Sequence, residues 1–191
     1  MARRALCLLA IGGVGFLGLV ILMLSLFWTQ YSPISQFASD YGVGAYGPEM
    51  NAGFFLAGAG VVSLGLVLPS SGTGKGSGAG GALLALDGIA LFASGYFQTD
   101  IEGAVATFHG QIHDFAGVTF FLTSPAALLL VSRGFGRRWF AIVVAALAGA
   151  VAFVVADGAL SLGATGLAER LVILVVFSSL ILTSASVYRR T

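Results

Sequence analysis

The chain has 191 residues, of which 58% are hydrophobic and only 9% are charged. A soluble domain carries about 25% charged residues, so this composition excludes a fold that covers its own surface in water. The formal net charge of +1 indicates no nucleic-acid partner, because such a partner would require a basic stripe on the protein.

Six membrane crossings fit this length. A helix needs about 20 apolar residues to cross the hydrocarbon core of a bilayer, and the chain can hold six such helices with short connections and no soluble domain. We therefore predict an all-α polytopic membrane protein, with six transmembrane helices in one domain over residues 1–191. The expected helices cover residues 5–27, 51–68, 81–97, 108–132, 139–156 and 169–188.

The first apolar run extends from Ala5 to Phe27. It is longer than the apolar core of a secretory signal peptide, and no small-x-small cleavage site ends it. Aromatic residues that favour the membrane interface follow it instead, so we expect an uncleaved helix. Cys7, the only cysteine, permits no intrachain disulfide and is either a buried inert thiol or an acylation site.

The first connection, residues 28–50, contains a helix-start signal. Ser32 is a typical N-cap residue, and Pro33 suits the first helical position. The apolar residues that follow share one helical face. We expect a short helix over residues 32–38 that lies on the membrane surface or caps the bundle.

The second connection, residues 70–81, is almost entirely glycine and serine around Lys75, which is typical of a flexible linker. Its glycine spacing matches the dinucleotide-binding string, but no strand precedes it. A P-loop is also excluded, because Lys75 is followed by glycine rather than Ser or Thr. We therefore expect no nucleotide site.

Two features predict how the later helices pack. Pro125 lies in the middle of the fourth helix, and the hydroxyls of Thr123 and Ser124 could satisfy the carbonyls that it frees. In the fifth helix small residues recur four apart, which predicts close contact with neighbouring helices. These rows are Ala145/Gly149 and Ala146/Ala150.

Asp87 is the acidic residue expected within the membrane, in the third helix. A charged Asp at mid-membrane costs about 2.5–3.5 kcal/mol on insertion scales, so it should face the bundle and be hydrogen-bonded or protonated. Thr119, Thr123 and Ser124 of the fourth helix are candidate partners. Asp87 is then either a neutral structural residue or a proton-coupling residue.

The basic residues predict the orientation. With the N-terminus inside, eight of the nine Lys and Arg residues fall on the inner side, and only Arg170 is outside. The positive-inside rule therefore predicts a multi-pass protein of the plasma membrane with both termini in the cytoplasm.

Residues 98–114 hold both histidines and three of the eight carboxylates of the chain. His109 and His113 are four apart, hence on one face at the outer end of the fourth helix. Two imidazoles at this spacing could share a divalent metal such as zinc, with Asp100 as a further ligand. The alternatives are hydrogen bonding at the interface and the handling of protons or a ligand.

Glu169 and Arg170 begin the sixth helix. A glutamate in the first turn suits the helix dipole. Arg170, the only outer basic residue, is expected to pair with an outer carboxylate or else to bind an anionic ligand such as a lipid headgroup.

Four short motifs resemble, in their order, the DUF998 family of bacterial and archaeal integral membrane proteins over nearly the whole chain. Where the family usually reads Phe-Pro-Thr-Asp, Gln98 replaces the proline. The resemblance implies a six-helix fold with a shared outer polar cluster, and no particular reaction. The motifs are Tyr31-Ser-Pro-Ile-Ser-Gln, Gly95-Tyr-Phe-Gln-Thr-Asp100, His109-Gly-Gln-Ile-His113 and Gly166-Leu-Ala-Glu-Arg170.

Together these residues predict a polar pocket at the outer face. The favoured function is a non-enzymatic unit that binds or transports a small molecule or lipid, or an accessory subunit of a membrane complex; its partners would be lipids and other membrane proteins. The alternative is a metal-dependent lipid hydrolase, in which His109 and His113 hold the metal that activates water. The expected pocket residues are Ser32, Ser35, Asp100, His109, His113, Asp114, Glu169 and Arg170.

Overall fold

Long apolar runs separated by glycine-rich or polar connections form six helices. The computed structural model describes residues 1–74, 76–101 and 103–190, so Lys75 of the second connection lies outside the described residues. All regular elements in these residues are helical, and six helices are long and apolar enough to cross a membrane, which confirms the predicted class. They are α1 (Ala2–Phe27), α2 (Gly47–Val67), α3 (Ser77–Tyr96), α4 (Phe108–Ser132), α5 (Arg137–Leu160) and α6 (Thr165–Arg190).

Two connections are shorter than the sequence indicated. α3 begins at Ser77 rather than at residue 81, and the polar loop expected over 157–168 shrinks to residues 161–164. Asp157 explains the second difference. It lies in the last turn of α5, is 4% exposed, and accepts a hydrogen bond from the backbone N–H of Ala164 at 2.7 Å. This bond holds a tight turn between α5 and α6.

The helices form a ring around a central space. α1, α2, α3 and α4 pack against one another in chain order, and α6 packs against α1 and touches α4. α5 lies outside this ring, against α6 and α4. Buried residues of α1 recur every three or four positions, beginning with Cys7, which is 0% exposed. Cys7 is therefore a buried thiol.

Glycines bring α2 and α3 close together. Gly58 and Gly65 of α2 face Gly88 and Gly81 of α3, and a Cβ at any of them would lie 2.6–2.8 Å from a carbonyl oxygen of the other helix. Only glycine permits this approach, as small-residue interfaces in membranes require. The row on α5 behaves differently: Gly149 points into open space, so Ala145 and Gly149 do not form the predicted helix contact. Of the second α5 row, Ala150 is buried.

The two ends of the bundle differ in charge. We call one the arginine end; it holds the start of α1, the connections after α2 and α4, and the end of α6. Contacts join these pieces: Arg3 donates to the carbonyl of Ser70 at 3.1 Å, and the guanidinium of Arg190 lies 4.7 Å from the ring centroid of Phe135. The opposite end, the histidine end, holds connections 28–46, 97–107 and 161–164.

The short helix expected over residues 32–38 is not formed. One turn occurs, with the N–H of Gln36 bonded to the carbonyl of Ser32 at 3.0 Å, and a 3-10 helix follows at Ala38–Gly42. The physical reason is that other groups bind the backbone of this segment. Asp40 accepts the N–H of Phe37 at 2.9 Å, and the N–H of Leu167 in α6 donates to the carbonyl of Ile34, which a longer helix would need as an acceptor.

Asp87 ties α3 to α4. It is 0% exposed and accepts hydrogen bonds from the hydroxyls of Thr123 and Ser124, two of its expected partners. Thr119 instead donates to the carbonyl of Phe115 at 2.8 Å. The hydroxyls next to Pro125 thus bind Asp87. The Thr123 hydroxyl oxygen also lies 2.7 Å from the carbonyl oxygen of Thr119, and its single proton can be donated to only one of these two acceptors at a time.

Candidate functional site

A cavity of about 390 Å³ lies inside the ring of helices, towards the histidine end. All five ring helices contribute to its walls, and residues 37–39 of the first connection complete them. We call it the central cavity. Its apolar walls include Leu17, Ile21, Met50, Phe54, Leu91, Val118, Phe120, Phe121, Ile173 and Phe177.

The polar side chains of the central cavity collect at one end. They come from the last turn of α3, the second turn of α4, the start of α6 and the 3-10 helix after the first turn of the connection. All of these positions belong to the histidine end. The cavity is therefore apolar over most of its length and polar at one end, through Ser39, Ser94, His113, Asp114 and Glu169.

His113 is 6% exposed and closes the end of α3. Its Nδ1 lies 2.8 Å from the carbonyl oxygen of Phe97 and 3.2 Å from that of Ser94. Because a carbonyl oxygen only accepts, Nδ1 carries a proton, and in the neutral form of the ring Nε2 keeps a free lone pair. The described residues supply no hydrogen-bond partner for Nε2, so the lone pair is available to the cavity.

Glu169 joins α6 to the 3-10 helix. One of its carboxylate oxygens, Oε2, accepts the backbone N–H of Ala38, and the side chain also lines the central cavity. Asp114 lines the same cavity from α4 but is exposed at the protein surface. The two carboxyl groups therefore reach the cavity from two neighbouring helices of the ring, α4 and α6.

The first connection docks on the start of α6. The backbone N–H of Leu167 donates to the carbonyl of Ile34 at 2.9 Å. A Cβ at Gly166 would lie 2.1 Å from the carbonyl oxygen of Gln36, so the chains approach too closely for any side chain at this position. This docking places Ala38 beside Glu169.

Arg170 also stabilises the contact between the first connection and α6, through hydrogen bonds to neutral groups. Its Nη1 donates to the carbonyls of Gln36 at 2.7 Å and Gly166 at 3.0 Å, and its Nε donates to the hydroxyl of Ser25 at 3.2 Å. The guanidinium also lies 5.5 Å from the ring centroid of Tyr41. Its Nη2 is buried without a hydrogen-bond partner among the described residues. Among the described residues, Arg170 thus makes its hydrogen bonds to neutral groups rather than to a carboxylate, while its charge acts on Glu169.

Asp100 organises the start of α4. Its two carboxylate oxygens accept the hydroxyl and the backbone N–H of Thr107, both at 2.7 Å, and Thr107 in turn caps the helix by accepting the N–H of Gly110 at 3.1 Å. The hydrogen bonds from Thr107, together with the nearby His109 imidazole, hold the pKa of the Asp100 carboxyl below its ordinary value. Asp100 lines a separate surface cavity of about 320 Å³.

The two histidines do not act together. The ring of His109 is exposed and packs edge-on against Phe97, with centroids 5.2 Å apart, whereas His113 points inward. In the part of the chain that the structure describes, no group of three or more His, Cys, Asp or Glu side chains is placed to hold a metal ion. The geometry therefore does not assemble His109, His113 and Asp100 as zinc ligands.

Ser32 and Ser35 serve the turn of the first connection. Both are exposed, and the hydroxyl of Ser32 accepts the N–H of Ser35 at 3.3 Å. The carbonyl of Ser35 accepts the hydroxyl of Thr165 at 2.8 Å, another contact of this connection with α6. Of the predicted pocket residues, the central cavity thus brings together only His113, Asp114 and Glu169.

The sequence prediction did not include most of the cavity wall, although a helical spacing signals it. From Asp114, the lining residues of α4 continue at intervals of three and four, and from Glu169 those of α6 continue at intervals of four. Such intervals mark one face of a helix. The residues concerned are Gly117, Val118 and Phe121 on α4, and Ile173 and Phe177 on α6.

Six helices that are apolar and long enough to span a bilayer define a multi-pass membrane protein. Residues 10–186 match the family described as "Protein of unknown function (DUF998)", so the chain belongs to this family, as its motifs indicated. Comparisons with curated proteins and with solved structures found no match. The family supplies no reaction, so function has to be argued from the cavity.

Proposed function

We propose that the protein binds a small amphipathic molecule in the central cavity, as a non-enzymatic binding or transport unit of the membrane. The observation that carries this proposal is the distribution of side chains along the cavity, with apolar walls from five helices and polar groups at one end. A volume of about 390 Å³ also suits it, since ligand sites measure about 300–1,000 Å³ and combine apolar walls with a few polar groups.

The proposed ligand enters from the side of the bundle. Phe37 and Val118 line the cavity and yet are 50% and 57% exposed, and Asp114, another lining residue, is also exposed. These exposures support a mouth between α4 and residues 37–39. A mouth on this flank would face the bilayer near its surface, so membrane lipids or lipid-like molecules are the proposed partners.

The proposed location is the plasma membrane, with both termini in the cytoplasm. Support comes from the basic residues gathered at the arginine end, which the positive-inside rule assigns to the cytoplasmic side. The polar end of the central cavity would then lie near the outer surface of the membrane.

Gly117 offers a test of the cavity. It lines the cavity, and a Cβ added there meets no atom within 4 Å, so Gly117→Leu should fold and fill the space with its side chain. The probe is a fourteen-carbon alcohol with a photoactivatable diazirine in its chain, added to the full-length protein in phosphatidylcholine liposomes. We expect labelling of Ile173 and Phe177, detected by peptide mass spectrometry, and its loss in Gly117→Leu.

Gly149→Leu is the matched control. Gly149 also has open space around its Cβ position but lies on α5, outside the ring. This variant should keep the labelling of Ile173 and Phe177. Labelling restricted to outward-facing residues, or unchanged in Gly117→Leu, would rule out the proposed binding site.

A further inference from the structure

The polar end of the central cavity also specifies the chemistry of the ligand, and this step rests on the proposed function. We infer that the ligand carries a primary amine, in its ammonium form, at the head of one hydrocarbon chain. The cavity presents hydrogen-bond acceptors and anionic oxygens to that head. An ammonium group has three donors and no acceptor, so it complements such a site.

His113 supplies the first acceptor. Its Nδ1–H is fixed by the carbonyls of Phe97 at 2.8 Å and Ser94 at 3.2 Å, which leaves the Nε2 lone pair for the cavity. The side chain is 6% exposed, and the described residues offer Nε2 no donor. The side chain has little access to water, so a donor from a ligand would add a hydrogen bond that the solvent supplies poorly there.

Glu169 and Asp114 supply carboxyl oxygens, and a cation bound beside them would favour their charged forms. Ala38 donates to Oε2 of Glu169, and the other oxygen, Oε1, has no hydrogen-bond donor among the described residues. Asp114 lines the cavity from the neighbouring helix α4 and is exposed at the surface. Two carboxyl groups line the same cavity as one imidazole acceptor, and their charged forms repel a carboxylate or phosphate head and attract a cation.

Arg170 acts on Glu169 through its charge, but its hydrogen bonds within the described residues go to other groups. The nearest basic residue in sequence, Arg170, directs its Nη1 to the carbonyls of Gln36 and Gly166 and its Nε to Ser25. Arg170 does not line the central cavity. The acceptors at the polar end are therefore left for a ligand.

The volume limits the size of the ligand. A cavity of about 390 Å³ is near the lower bound of ligand sites, which suits a single chain with a small head. An amine-headed phospholipid with two chains would insert part of itself and leave the rest in the bilayer. The same ammonium chemistry can therefore come from a free long-chain amine or from a phosphatidylethanolamine head.

Competition against the photoactivatable alcohol tests the head group. Unlabelled tetradecylamine, tetradecanoic acid and dimyristoyl phosphatidylethanolamine are compared in phosphatidylcholine liposomes, whose quaternary ammonium has no N–H to donate. Labelled peptides from the outer face of α5 serve as the internal reference for partitioning. We expect tetradecylamine to displace the label from Ile173 and Phe177 at about one tenth of the concentration needed with the acid.

Glu169→Gln tests the contribution of charge. The amide oxygen of Gln can still accept the N–H of Ala38, so the docking of the first connection should persist, while the negative charge is lost. We expect the tetradecylamine concentration for half displacement to rise about tenfold in Glu169→Gln. Glu49→Gln, at an exposed position outside the cavity, should leave it unchanged.

The outcomes separate the two proposals. Displacement by dimyristoyl phosphatidylethanolamine as well as by tetradecylamine identifies a lipid head as the source, and displacement by tetradecylamine alone identifies a free amine. Equal displacement by tetradecylamine and tetradecanoic acid overturns the amine inference while leaving amphiphile binding intact. Labelling that Gly117→Leu does not reduce overturns the proposed function itself.

Discussion

Gly110 separates the two histidines of α4 and lies where no side chain fits. A Cβ there would lie 2.0 Å from Oδ2 of Asp100, whose carboxylate binds the helix cap Thr107. Capping of this kind contributes about 0.5–2 kcal/mol to helix stability. The glycine therefore allows the Asp100 carboxylate to reach the end of the helix.

Gly110→Ala and Gly117→Ala should have effects of opposite sign. Both positions are on α4, but the second has no atom within 4 Å of an added Cβ. Gly110→Ala should lower the free energy of unfolding by about 1–3 kcal/mol through overpacking. Gly117→Ala should raise it by about 0.5–1 kcal/mol, because Ala has the higher helix propensity. Denaturant titration of purified protein in detergent measures both.

The Asp100→Ala background identifies the origin of the Gly110 effect. If the added methyl group strikes the carboxylate, Gly110→Ala should cost much less when the carboxylate is already removed, since contacting residues are not additive. An equal loss in both backgrounds would contradict the close contact. So would a stabilising effect of Gly110→Ala alone.

Docking of the first connection on α6 is the main link between separate elements at the histidine end. It runs through backbone carbonyls rather than through paired charges, with Arg170 donating to Gln36 and Gly166. The sequence predicted that Arg170 has an outer partner, but it could not predict which one. Backbone carbonyls are present at every position, so they leave no signal in the sequence.

Arg170→Ala should destabilise the protein by about 1.5–3 kcal/mol, because hydrogen bonds to a charged group are lost and buried carbonyls remain without donors. Thermal unfolding in detergent measures the loss. Arg138→Ala is the control, since Arg138 is exposed at the arginine end. Arg170→Lys should recover only part of the stability, because an ammonium cannot reproduce the planar fork of the guanidinium. Equal stability of Arg170→Ala and Arg138→Ala would refute this role.

The conformation of the first connection also depends on contacts that leave no signal in the sequence. Ser32 and Pro33 carry correct local signals for a helix start, and one turn does form. Its continuation depends on α6, which lies more than a hundred residues away in the chain and binds the carbonyls of Ile34 and Ser35. Local patterns predict local hydrogen bonds, whereas a competing distant partner becomes visible only in the folded chain.

At the scale of the molecule, the six helices were predictable because the hydropathy of each run is a local property. The gathering of polar residues at one end also followed, since successive crossings alternate in direction. The sequence did not predict which of those polar residues reach the central cavity. His109 and His113 share a helical face, yet His109 lies in the first turn of α4, beyond the ring, and His113 lies one turn deeper inside it. Depth along the bundle decides which histidine reaches the cavity.

The orientation of the whole bundle is tested by cysteine labelling. The arginine end gathers arginines from three parts of the described chain, so we expect it to face the cytoplasm. The native thiol is 0% exposed and can be removed by Cys7→Ala. In that background, an impermeant maleimide added to intact cells should label Ala45→Cys and Ala104→Cys, which are exposed at the histidine end.

Ala2→Cys and Ala79→Cys complete this test from the other side. Both positions are exposed at the arginine end, so they should react only after the membrane is permeabilised. With two sites at each end, a cysteine that fails to react because it is buried can be distinguished from one that lies on the other side of the membrane. Reaction of Ala79→Cys in intact cells, with protection of Ala104→Cys, would reverse the orientation. It would also place the polar end of the central cavity on the cytoplasmic side, where the ligand would have to be supplied from inside the cell.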